Sequence, residues 1–186
     1  MRWEDLFADL DGQLAAGEAA ALQAELTERT RAEQARLMLI ERLTAHVGRD
    51  LTVGVAGAEP VAGRLADAVG AWLVVTEAAG RSVLVPAQAW RWFDGLSRRV
   101  EAPAGAVTRR SSLGSALRAL AGRRAAVSLH LPDGTALAGT IDRVAADHLD
   151  LALHIPEEQR RRGSVTGVRV VPLAGIVAVR YDDGRG

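Results

Sequence analysis

The chain repeats itself, and this constrains its fold more than any other feature. Shifted by 76 residues (51 to 127), Leu51, Val53, Val55, Val61, Gly63, Leu65, Trp72, Leu73 and Val75 fall on Val127, Leu129, Leu131, Leu137, Gly139, Ile141, His148, Leu149 and Leu151. After a ten-residue insertion within "PEEQRRRGSVTG" (156–167), the stretch "VLVPAQAW" (83–90) matches "RVVPLAGI" (169–176), with Pro86 on Pro172. Two copies of one pattern imply two copies of one structural unit.

Each copy reads as short alternating strands broken by turn signals. In the second, Pro132-Asp133-Gly134 marks a turn, Gly139 sits inside a strand, and Ala146-Asp147-His148 breaks it before the alternation Leu149-Leu151-Leu153. Such spacing predicts five short strands per copy. Units this small escape open edges by curling the sheet, so each is expected to form a small barrel. Helices precede both units. Residues 2–47 carry leucines at three- and four-residue steps (Leu6, Leu10, Leu14, Leu22, Leu26, Leu39, Leu43) and the supportive pair Glu25–Arg29, with Gly48 as the stop. This predicts a long helical arm that packs on the β-region or on a second copy, as in a coiled coil. "SSLGSALRALAG" predicts a short helix capped by Ser111 or Ser112 and stopped at Gly122. The expected order is a helical arm (1–48), a first barrel (49–97), an arginine-rich linker with a short helix (98–124) and a second barrel (125–182).

Helix followed by five strongly bent strands resembles the Sm-like (LSm) family of SH3-type barrels. The second copy carries the resemblance best: Val127, Leu129 and Leu131 lead into Asp133-Gly134, then Gly139, Ile141, Val144, "ADHLDLAL" (146–153) and "VVPLAGIVAVR" (170–180). The match spans about 112–181, and more weakly 37–96. It implies binding of RNA through a loop that presents a stacking ring and an asparagine, and assembly through the fourth and fifth strands. His148 falls near the stacking position; Asp150 stands where the asparagine would be and would repel phosphate. Pro172-Leu173-Ala174-Gly175 replaces the family's Arg-Gly-Asn/Asp loop.

Charge is distributed unevenly. All 23 basic residues are arginine, against 23 acids, for a net charge of zero. Codon bias in a GC-rich bacterial genome explains the absence of lysine, and each arginine is nonetheless a planar fork suited to phosphate or carboxylate. Residues 98–124 hold seven arginines and one acid, a local +6, whereas 1–50 hold six arginines and ten acids, −4. A neutral chain does not coat nucleic acid, so phosphate contacts would be local. They would come from Arg98, Arg99, Arg109 and Arg110, with Arg160, Arg161 and Arg162 as a second cluster beside Glu157 and Glu158. Trp72 and His148, at equivalent positions, offer rings on which bases would stack. The alternative is that Trp72 covers the open end of a barrel and His148 is an exposed loop residue.

Trp90-Arg91-Trp92-Phe93 is a candidate protein interface. Strand alternation would place Trp90 and Trp92 on one face and Arg91 and Phe93 on the other, with one aromatic pair docking the N-terminal helix.

Enzymatic chemistry finds no support. The four histidines lack zinc-ligand spacing, and His148 and His154 would stand about 20 Å apart along one strand. No phosphate-binding glycine loop is present without lysine. No catalytic residue, metal or other cofactor is assigned. No cysteine, no apolar run of membrane-spanning length and an acidic N-terminus point to a cytoplasmic protein without membrane contact. Two readings stay open: an RNA-associated (or single-stranded nucleic-acid-binding) regulatory protein, and a protein–protein adaptor. Either is expected to be a homo-oligomer.

Overall fold

In the computed structural model, residues 38–100, 112–154 and 165–182 are described, with the isolated positions Leu22, Gln23, Glu25 and Glu28. Residues 39–186 form one compact unit and 1–38 another. The larger unit is built on ten strands: β1 (Asp50–Val55), β2 (Val61–Val69), β3 (Trp72–Thr76), β4 (Arg81–Pro86), β5 (Trp90–Asp94), β6 (Ala126–His130), β7 (Ala136–Val144), β8 (His148–His154), β9 (Val165–Pro172) and β10 (Ala178–Asp182). Helix α1 (Leu39–Thr44) precedes β1, and α2 (Leu113–Gly122) precedes β6. A 3-10 turn follows β4 (Ala87–Ala89) and another follows β9 (Leu173–Gly175), so both copies turn after proline in the same way.

The repeat is reproduced in the strand registers. β2 and β3 slip between Leu65 and Asp67, and β7 and β8 slip between Ile141 and Arg143, 76 residues later. Gly63 and Gly139 sit where the neighbouring strand crosses closest. A Cβ on either would overlap a carbonyl oxygen, of Thr76 or Ala152. The turn before each first strand repeats as well: Gly48 has φ 83°, and Arg124, 76 residues on, has φ 49°. The Gly48 N–H donates to the Leu65 carbonyl at 2.8 Å.

Two separate barrels, however, are not what forms. All ten strands belong to one antiparallel sheet in the order β5-β1-β2-β3-β4-β10-β6-β7-β8-β9. The joint is β4 against β10, in the register Leu84↔Val179, Val83↔Arg180, Tyr181↔Ser82 and Asp182↔Arg81. The physical reason lies in β4, where five residues running from Ser82 to Pro86 are buried. Strands covered on both faces read as apolar runs without alternation, and here Val83 and Val85 enter one core while Leu84 enters the other.

Two cores follow from this joint. Leu51, Val53, Leu65, Leu73, Val75, Val83 and Val85 fill one with Leu43 of α1. Leu129, Ile141, Leu149, Leu151, Val171, Ile176 and Val179 fill the other with Leu117 and Leu120 of α2. Side chains also cross over: Val74 and Leu84 of the first half lie in the second core, and Val177 and Ala178 of the second half lie in the first.

The helical expectation is corrected too. The expected 2–47 helix is represented by the six residues of α1 and by helical positions at Leu22, Gln23, Glu25 and Glu28; the rest of that stretch lies outside the described residues. Among the described residues no coiled coil stands, and residues 38–182 as described are predominantly sheet with two short helices. The chain leaves helix after Thr44 and turns through Ala45–Gly48, because Gly48 must deliver its N–H to Leu65. α2 has the expected cap: Ser112 Oγ accepts from the Ser115 N–H at 3.2 Å.

Candidate functional site

The two ends of the sheet are its reactive features. Among the described residues, β5 and β9 each pair on one side only, with β1 and β8. Unpaired strand edges present rows of backbone donors and acceptors to any further strand. Their side chains differ sharply from those of their internal counterparts. With the 86-residue offset (172 − 86), Ser82 and Leu84 of β4 correspond to Val168 and Val170 of β9. Ser82 and Leu84 are 1% and 2% exposed, whereas Val168 and Val170 are each 62% exposed. The same offset relates Ala178 of β10, 1% exposed, to Trp92 of β5, 46% exposed. Positions buried at the internal joint are therefore open at both ends, and what is open is apolar.

The tryptophan strand departs from simple alternation. β1 and β5 pair Val53↔Phe93 and Gly54↔Trp92, but then Val55↔Trp90, so Arg91 is an extra residue in a bulge. The bulge puts Trp90 and Phe93 on the core side, in edge-to-face contact at 5.6 Å and 79°. The Trp90 indole N–H donates to the Val85 carbonyl at 3.1 Å. Trp92 faces outward alone, its indole filling the space left by the missing side chain of Gly54. The expected pairing of Trp90 with Trp92 is thus corrected to Trp90 with Phe93. Sequence alternation missed this because a bulge shifts the period by one.

A polar clamp fixes the end of β5. His46, 2% exposed, donates from Nδ1 to the Arg42 carbonyl at 2.6 Å, and its Nε2 accepts from the Ser97 N–H at 3.0 Å. Arg42 donates to the Leu96 and Ser97 carbonyls at 3.1 and 2.9 Å. A second clamp locks the internal joint: Arg180 Nη1 donates to His130 Nε2 at 3.0 Å, and Nη2 lies 3.5 Å from Glu77 Oε1. Burial, and then the Arg180 charge, hold the His130 ring below its ordinary pKa against the smaller pull of Glu77. Glu77 belongs to the first half and His130 and Arg180 to the second, so the clamp spans the joint.

Among the residues expected to touch nucleic acid, Arg98 and Arg99 are exposed just beyond β5. Arg109, Arg110, Arg160, Arg161 and Arg162 lie outside the described residues. Trp72 is partly buried against the second core, and its indole N–H is buried with no hydrogen-bond partner. Its ring packs on the second core and lines the cavity beside α2. His148, partly exposed, pairs with the adjacent Asp147 at 2.7 Å; that hydrogen bond, and then the histidine charge, hold the Asp147 carboxyl below the usual carboxylate range. Trp72 lines the cavity beside α2, whereas His148, Arg98 and Arg99 do not.

A cavity of about 1070 Å³ runs between α2 and the sheet, where Ser115, Ala119 and Arg123 face Asp67, Trp72 and Leu84. It holds no histidine, and one of its acids is engaged locally: Asp67 accepts from the Ala68 N–H at 2.8 Å. Among the described residues no group of three or more histidines and acids is placed to hold a metal ion. No described helix is long and apolar enough to cross a membrane.

Compared with protein-family models, curated proteins and solved structures, the chain matches none. Nothing in these comparisons identifies an Sm-like family.

Proposed function

We propose that this chain is a non-enzymatic scaffold that binds polypeptide by strand addition at the open ends of its sheet. The observation that carries this reading is the exposure of Val168 and Val170, 62% each, on a strand that pairs on one side only among the described residues and whose internal counterpart is almost wholly buried. Main-chain hydrogen bonds along such an edge supply affinity, and pockets for alternate side chains supply selectivity. Purification from cells after nuclease treatment tests it. Proteins retained by the parent and lost from a Val168→Lys/Val170→Lys variant are expected, because charge on an edge strand blocks pairing.

RNA binding is the second reading, and the exposure of Arg98 and Arg99 favours it. It predicts co-purified RNA that falls when both arginines become glutamine, with a flatter salt dependence by roughly 0.7 log units per lost contact. The burial of the Trp72 indole N–H supports the scaffold over this alternative, since a packed ring makes a poor stacking platform. Recovered RNA that depends on Arg98 and Arg99, with no protein that depends on Val168 and Val170, would reverse the order.

A further inference from the structure

We propose that the cavity between α2 and the sheet is a binding site for a flat, mainly apolar cation, such as a protonated aromatic amine. The site lies apart from the open strand edges and does not depend on the scaffold reading.

The sequence of α2 creates the space. Leu113, Leu117 and Leu120 share one face of the helix and turn into the second core. Ser115, Ala116 and Ala119 lie on the flank that meets the cavity, and Arg123 continues that flank. The leucines hold the helix on the sheet, while the small side chains beside them leave a gap.

The floor is one continuous face of β3 and β4. Trp72, Val74 and Thr76 alternate onto it from β3, with Leu84 opposite Val74 and Ser82 opposite Thr76. Val74 and Leu84 are buried, so the middle of the floor is apolar, and the two hydroxyls stand at one end. Trp72 stands at the other end. Its indole N–H has no hydrogen-bond partner, so the ring is not tethered and can adjust to a bound molecule. An indole face attracts both apolar rings and cations. A volume of about 1070 Å³ is enough for a small molecule.

Charge decides which kind of molecule. The charged side chains of the lining are Asp67 on β2, Asp182 on β10 and Arg123 on α2, two carboxylates against one guanidinium. Neither carboxylate pairs with a described cation. β3 and β4 separate β2 from β10, so the two acidic strands flank the floor about 14 Å apart. A cation over the apolar floor is attracted from both flanks, and an anion is repelled.

The site belongs to the joint between the two halves: the first half supplies the floor, and the second supplies α2 and β10. On the equivalent face of the second half, His148, Asp150 and Val170 replace Trp72, Val74 and Leu84, and Val170 is 62% exposed. One molecule per chain is therefore expected.

Isothermal titration of the purified, nuclease-treated full chain with proflavine, a flat aromatic cation, to about 1 mM covers weak binding. Binding is expected with one molecule per chain, weakening as salt rises. Anilinonaphthalene sulfonate, an anion of similar size, is expected to bind several-fold more weakly. Asp67→Asn and Asp182→Asn, both at exposed positions, each weaken proflavine binding by about two- to fivefold. Ala119→Phe, also at an exposed position, fills the gap and weakens it by about tenfold or more. Melting curves like the parent's verify folding; should Ala119→Phe melt early, the two aspartate variants still decide. The Val168→Lys/Val170→Lys chain, altered only on β9, binds proflavine like the parent, whether or not it loses protein partners. A parent that binds no proflavine, a sulfonate bound as tightly, aspartate variants that bind like the parent, or a loss confined to the β9 variant would each overturn the proposal.

Discussion

Replacing Gly139 with alanine isolates the close approach of β7 and β8. A Cβ there would overlap the Ala152 carbonyl oxygen and press on Leu151 Cγ at 3.0 Å. The obstacle is backbone in a paired strand, Gly139↔Leu153 and Thr140↔Ala152, so no side-chain rotation relieves it. The two strands must separate locally, which costs about 1–3 kcal/mol, as overpacking does in cores. Alanine also restricts the unfolded chain and returns about 0.4–1 kcal/mol. The net expectation is destabilisation of about 1–2 kcal/mol, a fall in Tm of roughly 2–8 °C for a unit of this size. Urea and thermal denaturation of the full chain measure it. Gly70→Ala is the control: Gly70 has nothing within 4 Å of its would-be Cβ, and it is expected to be neutral or slightly stabilising. Equal stability of Gly139→Ala and Gly70→Ala would refute the close approach and the sheet geometry built on it.

Arg124→Gly is expected to stabilise the chain by about 0.5–1 kcal/mol, because an exposed arginine holds the left-handed conformation that Gly48 adopts without strain in the first copy; an unchanged denaturation midpoint would count against that strain. His46→Ala should cost about 2–4 kcal/mol by leaving the Arg42 carbonyl and Ser97 N–H without their partner, and should expose the 96–97 segment to faster amide exchange. The His130 ring is held below its ordinary value near 6.5, so the unfolded chain takes up that proton first. Stability should therefore fall as pH drops through the unfolded value and below, and His130→Gln should flatten that dependence in denaturation curves recorded at a series of pH values; an equal slope in the two proteins would reject the clamp's contribution.

The sequence carried the repeat because the repeat is a matter of spacing. The match of Gly63 to Gly139 records a real crossing of strands, and the shared proline before each 3-10 turn records a real corner. It did not carry the joint. Periodicity reports which face of a strand is buried, not what covers it, and the run Ser82–Pro86 reads equally as the wall of a closed barrel or as the middle of a wider sheet. The deciding contacts, such as Leu84↔Val179, link residues nearly a hundred positions apart, where local pattern has nothing to say.

The candidate site was legible only where its residues are chemically conspicuous. Trp92 stood out because tryptophan is rare here, yet its outward direction depends on the bulge at Arg91, which alternation cannot foresee. Val168 and Val170 carry no such mark, since two valines in a strand look like core. At the positions where β4 has Ser82, Val83 and Leu84, all buried, β9 has Val168, Arg169 and Val170, all exposed. Alternation alone would place the two valines under cover, and they are open because β9 has no neighbour beyond β8 among the described residues.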